Sequence, residues 1–201
     1  HALVIGDVML DRYLIGNVDR ISPEAPVPVV LLNEQNERAG GAANVAANLA
    51  LLGIKTHIIG CVGNDAEGDS LKRRISAIGV DTSAIINTKH RPTIAKTRVL
   101  GGHQQMLRLD QESSAAFNDE EVCQVLGAVT TELARQPSIV ILSDYAKGLL
   151  NDTVCQQIIS ACKKQSIPVL VDPKGRDYTK YKGATALTPN KKETAEVCGT
   201  H

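Results

Sequence analysis

Apolar residues fall along this chain in two alternating rhythms. Short runs of aliphatic and β-branched residues read as strands. Longer stretches with apolar positions three and four apart read as amphipathic helices. Ala2–Ile5 is the first short apolar run. A helix over Gly41–Leu52 stopped by Gly53, a buried strand over Thr56–Gly60, and a helix over Ala66–Ile78 stopped by Gly79 come next. Asp119–Arg135 predicts a helix whose acidic first turn suits the helix dipole. Ser138–Leu142 predicts a strand, and Asn151–Gln165 a helix capped by Asn151 or Asp152. Pro168–Val171 and Ala184–Leu187 predict further strands. Such repeats imply an α/β fold: a doubly wound, mostly parallel sheet with helices on both faces. Ligands of such sheets bind beyond the C-terminal ends of the strands.

Two regions, about 12–35 and 93–110, break this rhythm with strand-like runs and no helix between them. Thr93–Leu100 alternates apolar and polar residues, Gly101-Gly102 turns the chain, and Gln104–Leu109 returns as a hairpin. Pro26 and Pro28 confine Val27–Leu32 to an edge or to the start of a strand. These segments predict a small second sheet protruding from the main one. Its apolar face needs a cover: the ligand, a second subunit, or both. At the other end, Thr188–Glu193 reads as a strand end, a stop and a helix start. A doubly wound domain would not normally stop there, so the chain is expected to be a fragment of a longer domain.

Composition narrows the function classes. The net charge is zero, with Lys plus Arg 22 and Asp plus Glu 22, so no global basic field favours nucleic acid or an anionic membrane. Four Tyr, one Phe and no Trp give little base-stacking surface, which argues against nucleic-acid partners. No apolar run is long enough to span a bilayer. Cys61, Cys123, Cys155, Cys162 and Cys198 form no Cys-x-x-Cys and no metal spacing with histidine, which points to a reducing cytoplasm. Cys155, Ile158, Ile159 and Cys162 follow helical spacing, so those two cysteines are expected in the core. The five histidines are scattered, with no sign of a metal site.

The chemistry gathers at predicted strand ends. Gly40 and Gly41 lead into an alanine-rich helix whose first turn has free N–H groups and carries Asn44. Glycines let a backbone approach a ligand closely, and Asn44 can both donate and accept hydrogen bonds. A plain strand-to-helix turn uses the same residues. Asp7 and Asp11 follow the first strand and suit sugar hydroxyls, or a turn held by aspartates. The strand ending at Leu142 delivers Asp144 and Lys147, and the strand ending at Val171 delivers Asp172 and Lys174. Lysines at such a rim can bind phosphate as point charges. Asp69, Lys72, Arg73 and Arg74 read as a solvated helix face. Neither G-x-x-x-x-G-K-[ST] nor G-x-G-x-x-G is present, which disfavours a Walker-type nucleotide binder and a dinucleotide oxidoreductase.

Gly6-Asp7-x-x-x-Asp11, Gly40-Gly41-x-x-Asn44, Asp172-Pro173-Lys174 and Asn190-x-x-Glu193 together resemble the ribokinase-like (PfkB) carbohydrate kinases. The run Ile21-Ser-Pro-Glu-Ala-Pro-Val-Pro28 is similar to the branch that phosphorylates heptose 7-phosphate in ADP-heptose synthesis. The resemblance implies a ribokinase-like fold with a β-sheet lid that also clasps a homodimer, and ATP with Mg²⁺ as cofactors. It implies sugar contacts from Asp11, with Asp7 beside it, and from Gly40, Gly41 and Asn44. Asn190 and Glu193, with Lys191 and Lys192 between them, match the segment that organises ATP phosphates, Glu193 acting on Mg²⁺ indirectly. For the phosphate already on the substrate, charge and placement make Lys147 and Lys174 the candidates, with Arg98 or Lys96 from the lid. Asp144 and Asp172 complete the expected substrate rim. The family's Gly-Ala-Gly-Asp motif is absent, so the catalytic Asp is expected after residue 201 and the chain alone is expected to be inactive. A kinase for another sugar phosphate, of the fructose 6-phosphate type, stays open. So does a non-catalytic sugar-binding or dimerisation module.

Overall fold

The computed structural model describes residues 1–199. In chain order the strands are β1 (Ala2–Gly6), β2 (Val8–Ile21), β3 (Pro28–Gly41), β4 (Thr56–Gly63), β5 (Val80–Asp81), β6 (Ile85–Thr88), β7 (Ile94–Gly101), β8 (Gln104–Gln111), β9 (Ile139–Ser143), β10 (Val169–Asp172) and β11 (Ala186–Leu187). The helices are α1 (Ala42–Leu51), α2 (Ala66–Ala77), α3 (Asp119–Leu133), α4 (Asp152–Lys164) and α5 (Lys191–Cys198).

The main sheet has seven strands in the order β11-β10-β9-β1-β4-β5, with β6 also on β4, and its pairings are parallel. Its strands are apolar on both faces because both are covered. On β1, Leu3 and Ile5 enter one core with Val125 and Val129 of α3 and Ile158 of α4. Val4 points the other way, into a core with Ala43 and Ala46 of α1 and Leu71 and Ile75 of α2. Cys155 and Cys162 are fully buried, as the helical spacing predicts. Burial pushes their thiols up, to about 12 and about 11. Among the described residues, no helix is long and apolar enough to cross a membrane.

The second sheet has the order β3-β2-β7-β8. The β7–β8 hairpin turns at Gly102, as its glycines predict. The first hairpin is longer than the sequence reading. β2 starts at Val8, directly after β1, and β3 runs through Gly40 to Gly41. Asp11 therefore sits on a strand rather than in a turn. The chain leaves one sheet and enters the other across Asp7, a switch that hydrophobic period cannot reveal. Asp69, Arg73 and Arg74 on α2 are exposed and Lys72 is half-buried, as a solvated face predicts, and Arg74 also reaches Glu37 of β3 at 3.1 Å, beside Ser70 at 2.6 Å. Leu31, Leu32, Leu107 and Leu109 on the second sheet are more than half exposed.

Candidate functional site

Gly6, Ser143 and Asp172 are neighbours in the β1–β9–β10 register, so these strands end on one rim. The junction with the second sheet lies at that rim. Gly41 takes φ +57° and ψ −137° as it turns into α1. The Ala42 N–H donates to the Asp7 carbonyl at 3.0 Å. Gly40 lies beneath Asp11: a Cβ there would stand 2.4 Å from Asp11 Oδ2. Arg98 on β7 grips Asp11 Oδ1 at 2.6 Å. Asp11 Oδ2 accepts no hydrogen bond among the described residues, and so is open to a further donor. Asn44 is exposed in the first turn of α1. Asp11, Arg98 and Gly40 thus adjoin one another, and Gly41 and Asn44 follow at the turn into α1.

Asp7 and Asp144 are placed differently from the expectation that they meet substrate. Both carboxylates are buried and hold N–H groups of the loop after β9, and Asp144 is held in turn by Lys180 and Tyr181. Asp7 Oδ2 accepts the N–H groups of Tyr145 and Lys147 at 2.9 and 3.1 Å. Burial pushes its carboxyl up from the usual carboxylate range, against those backbone bonds. Asp144 Oδ1 accepts the Ala146 N–H at 2.7 Å, and its Oδ2 accepts Lys180 Nζ and the Tyr181 hydroxyl at 2.6 and 2.7 Å. The physical reason is their depth: a buried carboxylate needs every lone pair answered.

The lysines expected to be free for phosphate each have a carboxylate partner. Lys147 meets Glu112 at 2.7 Å, and Lys96 meets Asp110 at 3.2 Å and Glu112 at 3.7 Å. Lys174 meets Glu193 Oε1 at 2.8 Å. Glu112, which draws Lys147 and Lys96 together, had no motif to mark it. Tyr145 was missed as well. Burial together with the Asp172 and Asp11 charges pushes its phenol up. Burial and the Glu193 charge likewise push the Asp172 carboxyl up.

Asn190 and Glu193 form a reciprocal capping box at the start of α5, each side chain accepting the other's N–H at 3.0 Å. Lys191 and Lys192 open the helix exposed. Both Glu193 oxygens are engaged, one by Lys174 and one by the Asn190 N–H. The residue therefore fits a Mg²⁺ ion only through the ion's own waters, which Mg²⁺ usually keeps. The Lys174 ammonium beside it, more than the Asn190 N–H, holds the Glu193 carboxyl below its usual 4.5. A depressed carboxylate adds stability that is present above its unfolded value and is lost as pH falls through its folded one. The stability gap between wild type and Lys174→Met is therefore expected to be full above pH 4.5 and to close below it. Denaturant melts across that range check it, and a gap independent of pH contradicts the pairing.

At the opposite end of the sheet, two of the five histidines, His1 and His57, come together with Glu132, with ligand atoms within 4.8 Å of one another. Arg135 supplies the positive charge there, 3.2 Å from Glu132 Oε1.

The parallel main sheet, the small second sheet, and the aspartate and two glycines at their junction agree with a ribokinase-like fold. The pfkB family carbohydrate kinase model matches residues 1–201, and the chain belongs to that family. It is 63% identical over 196 residues to the bifunctional protein HldE of Methylobacillus flagellatus, covering 98% of this chain and 40% of that protein. It is 50% identical over 202 residues to the D-beta-D-heptose 7-phosphate kinase of Bordetella bronchiseptica, covering 99% of this chain and 62% of that one. The chain thus spans about 40% of the length of its bifunctional relatives. In fold it is similar to phosphofructokinase-2 from Escherichia coli in its tetrameric inhibited form, with TM-score 0.76, 22% identity, and coverage of 100% of this chain and 64% of that one. It is also similar to Arabidopsis thaliana ribokinase complexed with ribose and ATP, with TM-score 0.69, 21% identity, and coverage of 98% and 62%.

Proposed function

We propose that the protein is an ATP-dependent kinase for D-glycero-β-D-manno-heptose 7-phosphate. It transfers the γ-phosphoryl group to the C1 hydroxyl and gives the 1,7-bisphosphate used in ADP-heptose synthesis for lipopolysaccharide core. The observation that carries the reading is Asp11, with one oxygen held by Arg98 and the other free above Gly40. The names and identities of the two heptose-related proteins support the substrate class.

In this reading Asp11 Oδ2 accepts hydrogen bonds from sugar hydroxyls, and Gly40 and Gly41 let the ring approach the backbone. Asn44 adds a further polar contact. Lys147, Lys96 and Lys174 set a positive field around the rim, each released to an incoming phosphate from its carboxylate. Asn190, Lys191, Lys192 and Glu193 lie toward the ATP phosphates, and Mg²⁺ supplies charge neutralisation there when bound. Positioning and electrostatics dominate phosphoryl transfer, so fixed groups of this kind suit it. The catalytic base belongs, in this proposal, to sequence after residue 201. The exposed leucines of the second sheet support a homodimer joined through the lid, and the cysteine usage supports a cytoplasmic protein.

Replacing Asp11 with Asn keeps the shape and removes the charge. Calorimetric titration is expected to show about a tenfold or greater loss of sugar-phosphate affinity, with the fold intact by circular dichroism. Unchanged affinity contradicts the role of Asp11.

A further inference from the structure

We propose that Arg38 binds the phosphate that the sugar substrate already carries, and so sets the preference for a sugar phosphate over the free sugar. The inference rests on the sugar-phosphate reading above and names a residue with no motif to mark it.

Arg38 lies directly opposite Asp11 in the antiparallel β2–β3 register. Opposed residues of such a pair project to the same face of the sheet. Arg38 therefore shares the face of Asp11 and Gly40, two residue pairs further from the junction than Gly40 itself. On the same face the Tyr13 ring has the Arg38 Cζ at 5.5 Å and the Arg98 Cζ at 5.2 Å from its centroid. Two guanidinium groups thus gather about one ring.

Their electrostatics differ. Arg98 is neutralised by Asp11 at 2.6 Å. Lys96 and Arg108 have Asp110, Lys147 has Glu112, and Lys174 has Glu193. Arg38 forms no ion pair among the described residues, and its guanidinium stands over the Tyr13 face. It is exposed, at the rim of an open groove between β3, α1 and α2 that Asn44, Glu37 and Arg74 also line, where Glu37 is already paired with Arg12 and Arg74. Two like charges near one ring, with a single carboxylate between them, leave a place for an anion. A guanidinium fork matches phosphate oxygens in pairs, which an ammonium cannot do. A sugar whose hydroxyls reach Asp11 can then lay its phosphate against Arg38, with the Arg98 guanidinium nearby.

The test titrates the chain calorimetrically with heptose 7-phosphate and with unphosphorylated heptose, as wild type, Arg38→Ala and Arg38→Lys. Arg38→Ala is expected to lose about tenfold or more in affinity for the phosphate ester and to leave the free sugar within about twofold. Arg38→Lys is expected to recover part of the loss, since the charge returns without the fork. Equal losses for both sugars would assign Arg38 a merely structural role and overturn the inference. So would an Arg38→Ala chain that still binds the phosphate ester as wild type does. If the wild-type chain binds neither sugar, the parent reading fails and this one with it.

Discussion

Replacing Gly41 with alanine is expected to lower stability by about 2–6 kcal/mol and to remove sugar binding with it. Gly41 sits at φ +57° and ψ −137°, a conformation that side-chain-bearing residues rarely adopt. Forcing one into it costs roughly 1–3 kcal/mol. An added Cβ would also stand 2.3 Å from the Asp7 carbonyl oxygen. That oxygen cannot swing aside as a flexible side chain would, because it accepts the Ala42 N–H that starts α1. Overpacking of this kind adds about 1–3 kcal/mol. Gly102, at φ +59° with nothing within 4 Å of its would-be Cβ, is the control. Gly102→Ala carries only the conformational part. Denaturant unfolding of both variants checks the argument, and equal losses contradict it.

Lys180→Met is expected to cost about 3 kcal/mol, because it leaves the Asp144 carboxylate buried without its cation. The Asp144 side chain is 1% exposed and the Lys180 side chain 17%, with Nζ and Oδ2 at 2.6 Å. Water can therefore do little to replace the lost charge. Lys180 also donates to the Leu150 carbonyl at 3.0 Å, so the loop between β9 and α4 loosens with it. Tyr181→Phe removes the hydroxyl's bond to Asp144 at 2.7 Å and its acceptance of the Lys174 N–H at 3.1 Å but keeps the cation, and is expected to cost less, about 1.5–2 kcal/mol. Thermal and denaturant melts order the two variants. A Lys180→Met protein as stable as wild type would mean that Asp144 does not depend on its cation.

The contrast between these carboxylates shows what the sequence carries and what it does not. Helical spacing sufficed for α4, where Val154, Cys155, Ile158 and Cys162 are all fully buried. Period-two alternation and paired glycines sufficed for the β7–β8 hairpin. The rim was legible too, since each buried strand of a parallel sheet must deliver its following residues to one side. What the pattern could not give is the partner of each charge. Lys180 and Tyr181 lie 36 and 37 positions from Asp144, and only folding brings them to it. Asp11 and Arg98 are 87 apart. The roles of Asp7 and Asp11 look alike in sequence. They part because one lies buried at the switch between sheets and the other on an open strand. The short strands β5 and β6 were missed because two to four residues carry no readable period. Arg38 was passed over because a single arginine before two glycines has no signature until the register sets it beside Asp11.

A site for a heptose phosphate at these residues is tested by calorimetric titration of the folded chain with heptose 7-phosphate and with fructose 6-phosphate. Binding of the heptose phosphate in clear preference to the fructose phosphate is expected. Binding of fructose 6-phosphate alone, or of neither ligand to a chain shown to be folded, would contradict it.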